Sequence, residues 1–481
     1  MNPSDLAAIA PELLLVVMGA VLVLADAFVP ALRPRFGAVA GASAVAAAVL
    51  RWTGPLPGAV WSGALVVDPL ARFVDSYILV AVVLVAIIAG PYLARTAASY
   101  GEFYGLLLFS AVGAMVLAKA DSLLVIFIGL ELLLSISLYV LNAFHRDSGV
   151  SLEAGWKYLV VGAFASALLL FGIALLYGAT GTFSLAATAR VVAERPLAGN
   201  PLILAGLALA LAGFGFKLAL VPFHAWAPDV YQGSPTPVTA FLSVVPKGAM
   251  LVTLARVVAA LAPQALTPKW LPLLATIAIA SQVLGNLVAI AQRDVKRMLA
   301  YSGIAHMGYA LVGIVAFGFD GLVGVLVYLA AYTVMNIAAF AVVSAFSESE
   351  DEPHLITDLA GQGWRRPFLS FTLALAMFSL AGIPPTVGFV AKFLVFRAAV
   401  NQGLAWLAVV GVLASFVSVF FYVRVVYYLY MKPLPQRAPA YLEPWPVRVV
   451  AGVCALAIVG LGIFPSWLLN AAETAAKTLL R

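Results

Sequence analysis

Long apolar runs alternate with short polar breaks along the whole chain. The runs recur at a length near the about 20 apolar residues that a helix needs to cross the hydrocarbon core of a bilayer. The pattern predicts fourteen spans, at 11–29, 36–52, 74–93, 104–118, 122–142, 153–177, 201–222, 237–261, 271–291, 298–317, 322–346, 368–399, 404–430 and 447–469. Two of them do not read as plain helices. The twelfth is too long and is interrupted at Gly382-Ile383-Pro384-Pro385. The seventh runs into the stretch from Lys217 to Lys247, which holds Pro222, Pro228, Pro235, Pro237 and Pro246. Interrupted helix at membrane depth is tolerated only where it is buried in protein or lines a wet cavity. The seventh and twelfth spans are therefore expected to be broken helices in the interior of a bundle.

An offset of five spans places the two breaks in opposite orientations, the arrangement of inverted-topology repeats. The expected fold is an all-α polytopic membrane protein of 14 helices with two inverted five-helix repeats, helices 4–8 and 9–13. The corresponding organisation is a three-helix segment at 1–100, a first repeat at 101–265, a second at 266–432 and a last helix within 433–481.

Composition agrees with a membrane chain. Of 481 residues 64% are hydrophobic and 10% charged, against about 25% charged in soluble domains. The single cysteine, Cys454, excludes an intrachain disulfide and a Cys-ligated iron–sulfur cluster on this chain alone. His145, His224, His306 and His354 lack metal-ligand spacing. No glycine-rich phosphate loop follows a strand, and the net charge of +6 is read as loop bias, so nucleotide and nucleic acid have no support. No basic region precedes the first apolar run, so no cleaved signal peptide is expected.

Loops after odd-numbered spans hold twelve basic residues: Arg33, Arg35, Arg95, Arg146, Arg293, Lys296, Arg297, Arg365, Arg366, Lys432, Arg437 and Arg448. The other face holds eight: Arg51, Arg72, Lys119, Arg190, Arg195, Lys269, Lys477 and Arg481. The positive-inside rule then places both termini outside the cytoplasm. The acidic loop from Ser347 to Arg366 reads as a solvated surface.

Five charges inside predicted spans stand out, Glu131, Lys157, Lys217, Lys247 and Lys392, whereas Asp26, Arg256, Arg397 and Arg424 lie toward span ends or can reach them. Each of the five would cost about 2.5–3.5 kcal/mol at the bilayer centre. They are expected to face the bundle interior and to meet one another. Burial and like charges favour the neutral amine, an acid nearby restores the proton, and a row of such groups is a proton relay in principle. The plain alternatives are a structural ion pair for Glu131, snorkelling for Lys157, and satisfaction of carbonyls freed at the helix breaks for Lys217 and Lys392. His224, His306 and Tyr301 are candidates for relay support, beside Ser302, Tyr309, Tyr328, Tyr332, Thr333 and Asn336. Polar helix–helix contacts explain these equally well.

Three stretches resemble a known family. PFHAWAPDVYQGSPTPVTAFLSVVPK (222–247) resembles the seventh-to-eighth helix region of the antiporter-like membrane subunits of respiratory complex I. QRDVKRMLAYSGIAHMGY (292–309) and AGIPPTVGFVAKF (381–393) resemble that family's tenth- and twelfth-helix motifs. Asp229-Val230-Tyr231-Gln232-Gly233, the lysine at 392 and the end after the fourteenth helix resemble the N-type branch, with photosynthetic plastoquinone-reducing relatives sharing the Tyr-Gln/Glu-Gly form.

The resemblance implies a proton-translocating subunit of a multisubunit NADH:quinone oxidoreductase. It implies a glutamate–lysine pair at Glu131 and Lys217, with Lys157 beside it, a central lysine at Lys247 and a terminal one at Lys392. It further implies no redox centre here. Flavin, iron–sulfur clusters and quinone belong to partner subunits, and an antiporter-like M-type and a small K-type subunit are the neighbours. Pro246 departs from the expected small or polar residue and is expected to open the eighth helix locally. An Mrp-type sodium/proton antiporter subunit and a non-conducting scaffold remain as alternatives.

Overall fold

A computed structural model describes residues 3–96, 100–194, 200–261, 267–346, 354–435, 441 and 443–480. Arg195, Arg437, Arg481 and the acidic half of the loop at 347–353 lie outside these residues. Among them, thirteen helices are long and apolar enough to cross a membrane.

A short α1 (Pro3–Ala8) leads into α2 (Ala10–Phe28) and α3 (Phe36–Thr53), linked by a 3-10 turn. A two-stranded hairpin follows, β1 (Gly58–Val60) paired antiparallel with β2 (Leu65–Val67). The apolar-run pattern does not foresee it, because the strands are too short to show a period. Val60, Leu65 and Val67 pack with Ala8 and Ile9 as a small separate core over the ends of the first helices. Next come α4 (Pro69–Thr96) and α5 (Tyr100–Lys119). Asp68 starts α4 by accepting from the amide of Ala71 at 2.7 Å, which satisfies one of the unpaired donors of a helix N-terminus.

The fifth span is three pieces: α6 (Leu123–Ile128), a π-helical turn at Gly129–Ser135, and α7 (Ile136–Asn142). Then α8 (Gly149–Thr180), started by the Ser148 side chain and ended by Gly181 at φ 73°, leads to α9 (Leu185–Glu194). The segment around Arg190 and Glu194, expected as a loop, is thus helical. The seventh span is α10 (Pro201–Leu218), and an irregular turn and the short α11 (Trp226–Gly233) lead on from it. The eighth is α12 (Thr236–Leu261), which stays helical across Pro246. The local opening expected there is not observed, since neighbouring helices hold α12 buried along its length and a proline removes a single backbone hydrogen bond.

The chain continues with α13 (Thr267–Ala291), α14 (Val295–Val315) and α15 (Phe319–Ala345). After Ile356–Leu359 and α16 (Gln362–Arg365) come α17 (Pro367–Ala381) and α18 (Val387–Asn401), separated by the expected break. The described part of the acidic loop packs instead of standing in solvent: Ile356, Leu359 and Gln362 are buried, and Leu355 bridges to Asp294. The chain ends with α19 (Ala405–Met431), α20 (Trp445–Ile463) and α21 (Ser466–Leu479). The last predicted span therefore stops at Ile463, six residues early, and an amphipathic helix follows Pro465.

Three basic residues counted as loop charges are in fact buried: Arg51, Lys119 and Lys296. Each lies within one turn of a helix end, where an apolar run has already faded from the sequence.

Candidate proton pathway

Both helix breaks end the same way. Ala219, after α10, takes φ 55°, and Gly382, after α17, takes φ 86°. The left-handed residue turns the chain out of the helix, and the last carbonyls of each helix then need new partners. At the first break the Trp226 indole donates to the Phe216 carbonyl at 2.9 Å. At the second, Lys392 does this work: its ammonium donates to the carbonyls of Leu380 at 2.8 Å and Ala381 at 3.0 Å, and to the Ser415 hydroxyl at 2.7 Å.

Lys217 sits in the last turn of α10, where a cation is favoured by the carbonyl end of the helix. It is 3% exposed. Its nitrogen lies 3.5 Å from a Glu131 carboxylate oxygen and donates to the Ser135 hydroxyl at 2.7 Å. Glu131 and Ser135 both belong to the π-helical turn, a form that recurs at functional sites. The Ser166 hydroxyl donates to the same carboxylate at 2.5 Å. Rings of Tyr139, Tyr158 and Phe216 stand 5.1–5.6 Å from the ammonium, within cation–π range.

Lys247 is different. It is 1% exposed, in the middle of α12, and its nitrogen has no hydrogen-bond partner among the described residues. The Tyr231 ring lies 5.2 Å away. A methyl group built on Gly303 of α14 would come within 2.9 Å of this nitrogen and 2.8 Å of the Tyr332 hydroxyl. The hydroxyls of Tyr231 and Tyr332 and the side-chain oxygen of Asn336 are buried and without partners too. Buried polar groups are as a rule paired with protein or with ordered water. Lys247 and three further unpaired groups thus stand in one part of the bundle, with Gly303 close against two of them.

Beyond Tyr332 lies His306, with ring centroids 5.1 Å apart. His306 meets the Tyr328 hydroxyl at 2.7 Å and that of Tyr422 at 3.0 Å, and Tyr422 meets Ser302. Tyr309 packs edge-on to His306, holds the Asn286 amide at 2.7 Å, and places its ring 4.9 Å from the Lys392 ammonium. Lys392 is 5% exposed. Contacts thus run from Lys247 through Tyr332, His306 and Tyr309 to Lys392, while Glu131 and Lys217 form a pair of their own; together these residues are the candidate row.

These folded positions find matches among known proteins. Residues 120–418 match the family model described as NADH:quinone oxidoreductase/Mrp antiporter, TM. The chain is 42% identical to the NADH-quinone oxidoreductase subunit N of Trichlorobacter lovleyi, covering 99% of this chain and 98% of that one. It is 39% identical to subunit N of Myxococcus xanthus, covering 98% of each. The chain belongs to the NADH-quinone oxidoreductase subunit N family. A chain of respiratory complex I from Thermus thermophilus, solved with bound aureothin, superposes at TM-score 0.80 with 32% identity, over 96% of this chain and 98% of that one. A chain of the Mrp complex from Dietzia sp. shares the fold alone, at TM-score 0.84 and 21% identity over 100% and 98%.

Within this subunit N family member, three expected site residues stand apart from the row. Lys157 meets neither Glu131 nor Lys217. Its side chain is 37% exposed and bound to Asp229 at 2.7 Å and Glu153 at 2.6 Å. The Asp229 carboxylate also accepts from Arg297 at 2.6 Å, so α8, α11 and α14 are tied at one point. Burial alone would raise the Asp229 carboxyl; the hydrogen bonds from Lys157 and Arg297 outweigh it and hold the group below its ordinary value. His224 lies half-buried in the first break, with its Nδ1 unpaired among the described residues. Tyr301 makes no side-chain hydrogen bond among them, whereas Tyr422 meets His306.

Sequence reading also missed Tyr422, Tyr231 as the ring under Lys247, and the fully buried Lys296. Lys296 donates to the Ser234 carbonyl at 2.7 Å, at the end of α11. The one available signal was its place in the 292–309 motif.

Proposed function

We propose that the chain is the proton-translocating N-type membrane subunit of an NADH-quinone oxidoreductase, with protons passing along Glu131, Lys217, Lys247 and Lys392. The observation that carries this reading is Lys247: a lysine at the centre of the bundle, unpaired, beside three further unpaired polar groups. A charge there has no counter-ion, so it is sensitive to the charge of its neighbours through a low-dielectric interior. Protonation of one lysine then disfavours the next, and charge states propagate along the row. Lys157, held by Asp229, is a charge beside that row, and His306 with its tyrosines bridges Lys247 to Lys392.

In the same reading α17 and α18 form one crossing, the twelfth in order, which brings the count to fourteen, and both termini share the non-cytoplasmic side of a bacterial inner membrane. Spans four to eight and nine to thirteen are inverted repeats, supported by the matched left-handed residues Ala219 and Gly382. M-type and K-type membrane subunits are the neighbours. Flavin, iron–sulfur clusters and quinone sit on partner chains, whose quinone chemistry drives this subunit.

Replacement of Lys247 or Glu131 by alanine in the assembled enzyme should abolish pumping or coupled turnover. A normal proton-to-electron ratio in both variants would overturn the relay. The shared fold with the Mrp complex keeps a free-standing antiporter as the second reading; purification without flavin and iron–sulfur absorbance would favour it.

A further inference from the structure

The first three spans hold no residue of the row from Glu131 to Lys392, and the matching family model begins only at residue 120. They nevertheless hold a closed ring of buried charge, completed by the fourth span. Glu12 of α2, Arg51 of α3, Asp75 of α4 and Lys119 of α5 contribute one group each. Arg51 lies 2.8 Å from Glu12 and 2.7 Å from Asp75. Lys119 lies 2.6 Å from Glu12 and 2.6 Å from Asp75. Acid and base alternate, so each charge touches two of opposite sign and the ring is neutral. No member's side chain is more than 5% exposed. Arg51 also donates to the Ala8 carbonyl at 2.8 Å, beside the small core that the β-hairpin forms.

Such a ring adds little stability, because desolvation offsets the attraction. Its best-attested use is to specify register, since a half-made ring leaves a bare charge in the interior. Here it fixes α4 against three helices at once. Two residues beyond Asp75, Tyr77 reaches α12. Its hydroxyl is buried, has no hydrogen-bond partner among the described residues, and lies against Gly248. A methyl group on Gly248 would fall 2.3 Å from that oxygen and 2.8 Å from the ring carbon that bears it. Gly248 follows Lys247 directly. On its other side Lys247 faces Gly303 and Tyr332.

We propose that the N-terminal helices act as a strut for the central lysine. The ring sets the register of α4, and Tyr77, seated on Gly248, passes that register to Lys247. Tyr77 is on this view a positioning residue, and the inference rests on the reading that Lys247 carries protons.

The test uses the assembled complex in proteoliposomes, reading coupled proton uptake against electron transfer. Gly248→Ala and Tyr77→Leu should each lower coupled turnover about 10- to 100-fold, the scale of a reacting group misplaced by about 1 Å. The double variant should recover most of it, because leucine lacks the atoms that the new methyl group meets. A general packing defect would add in the double variant instead. Parental turnover in either single variant, or a double variant no better than the singles, would overturn the strut. If Gly248→Ala does not assemble, Tyr77→Leu alone decides by the same criterion. Lys247→Ala separates the two ideas: parental turnover there defeats the relay, whereas its loss with Gly248→Ala unaffected defeats only the strut.

Discussion

Lys217 and Glu131 do not make a close contact pair; 3.5 Å separates them, and the Ser135 hydroxyl stands beside both, 2.7 Å from the ammonium. Ser135 in turn donates to the Leu130 carbonyl at 2.6 Å. The hydroxyl keeps the two charges near each other without locking them. Ser135→Ala should leave the ammonium short of one acceptor, a loss of about 1–3 kcal/mol for a buried group. Slower coupled turnover, with electron transfer in uncoupled membranes unchanged, is the expected outcome.

Gly303 packs closely against Lys247 and Tyr332. Gly303→Ala would push a methyl group to 2.9 Å from the lysine nitrogen. Overpacking a tight interior costs about 1–3 kcal/mol. Pumping should fall by about tenfold or more for each 1.4 kcal/mol added to the rate-limiting barrier. Tyr332→Phe in the same chain should relieve part of the loss, since the hydroxyl is the other atom the methyl group meets.

Asp229 gives a dependence on pH with a definite sign. Its carboxyl is held below its ordinary value in the folded chain, with Lys157 and Arg297 as the counter-charges. A depressed acid contributes its stability above the unfolded value of about 3.9 and loses it as the pH falls through the folded one. The difference in melting temperature between the parent and Asp229→Asn should therefore stay constant from about pH 8 to 5 and shrink only in stronger acid. Because the side chain is 34% exposed, solvent screening keeps the effect small, at about 1 kcal/mol or less.

The charge ring should respond to single and double changes in opposite ways. Asp75→Asn or Glu12→Gln alone leaves a cation under-paired in the interior and should cost about 3–5 kcal/mol. Paired replacement of Arg51 and Glu12 by apolar residues of similar volume should cost much less. Heat stability of the purified complex checks both.

The row of buried charges was legible because each member interrupts an apolar run: Glu131, Lys217, Lys247 and Lys392 stand out against leucine, alanine and valine. The breaks at Ala219 and Gly382 were legible through proline and glycine. The ring was not. Glu12, Arg51, Asp75 and Lys119 lie near helix ends, where a charge in sequence looks like a loop charge. Only the packing of four helices brings them together. Lys157 failed for a related reason: its partner Asp229 lies 72 residues on, and the turn that delivers it has no period to read. The π-helical turn was not legible either: Glu131 marks a charge there, but no spacing in the apolar run reveals the surplus residue.

That turn at Gly129–Ser135 has a consequence for how this span varies among lineages. A π-helical turn is an α-helix that carries one surplus residue. Deleting one residue there would restore a regular helix with its flanks nearly in phase, because the wide turn already absorbs the surplus residue, and would take away the bulge on which Glu131 and Ser135 sit. The setting of this carboxylate is thus encoded as a count of residues, and a one-residue gap in an alignment would disturb it more than many substitutions would.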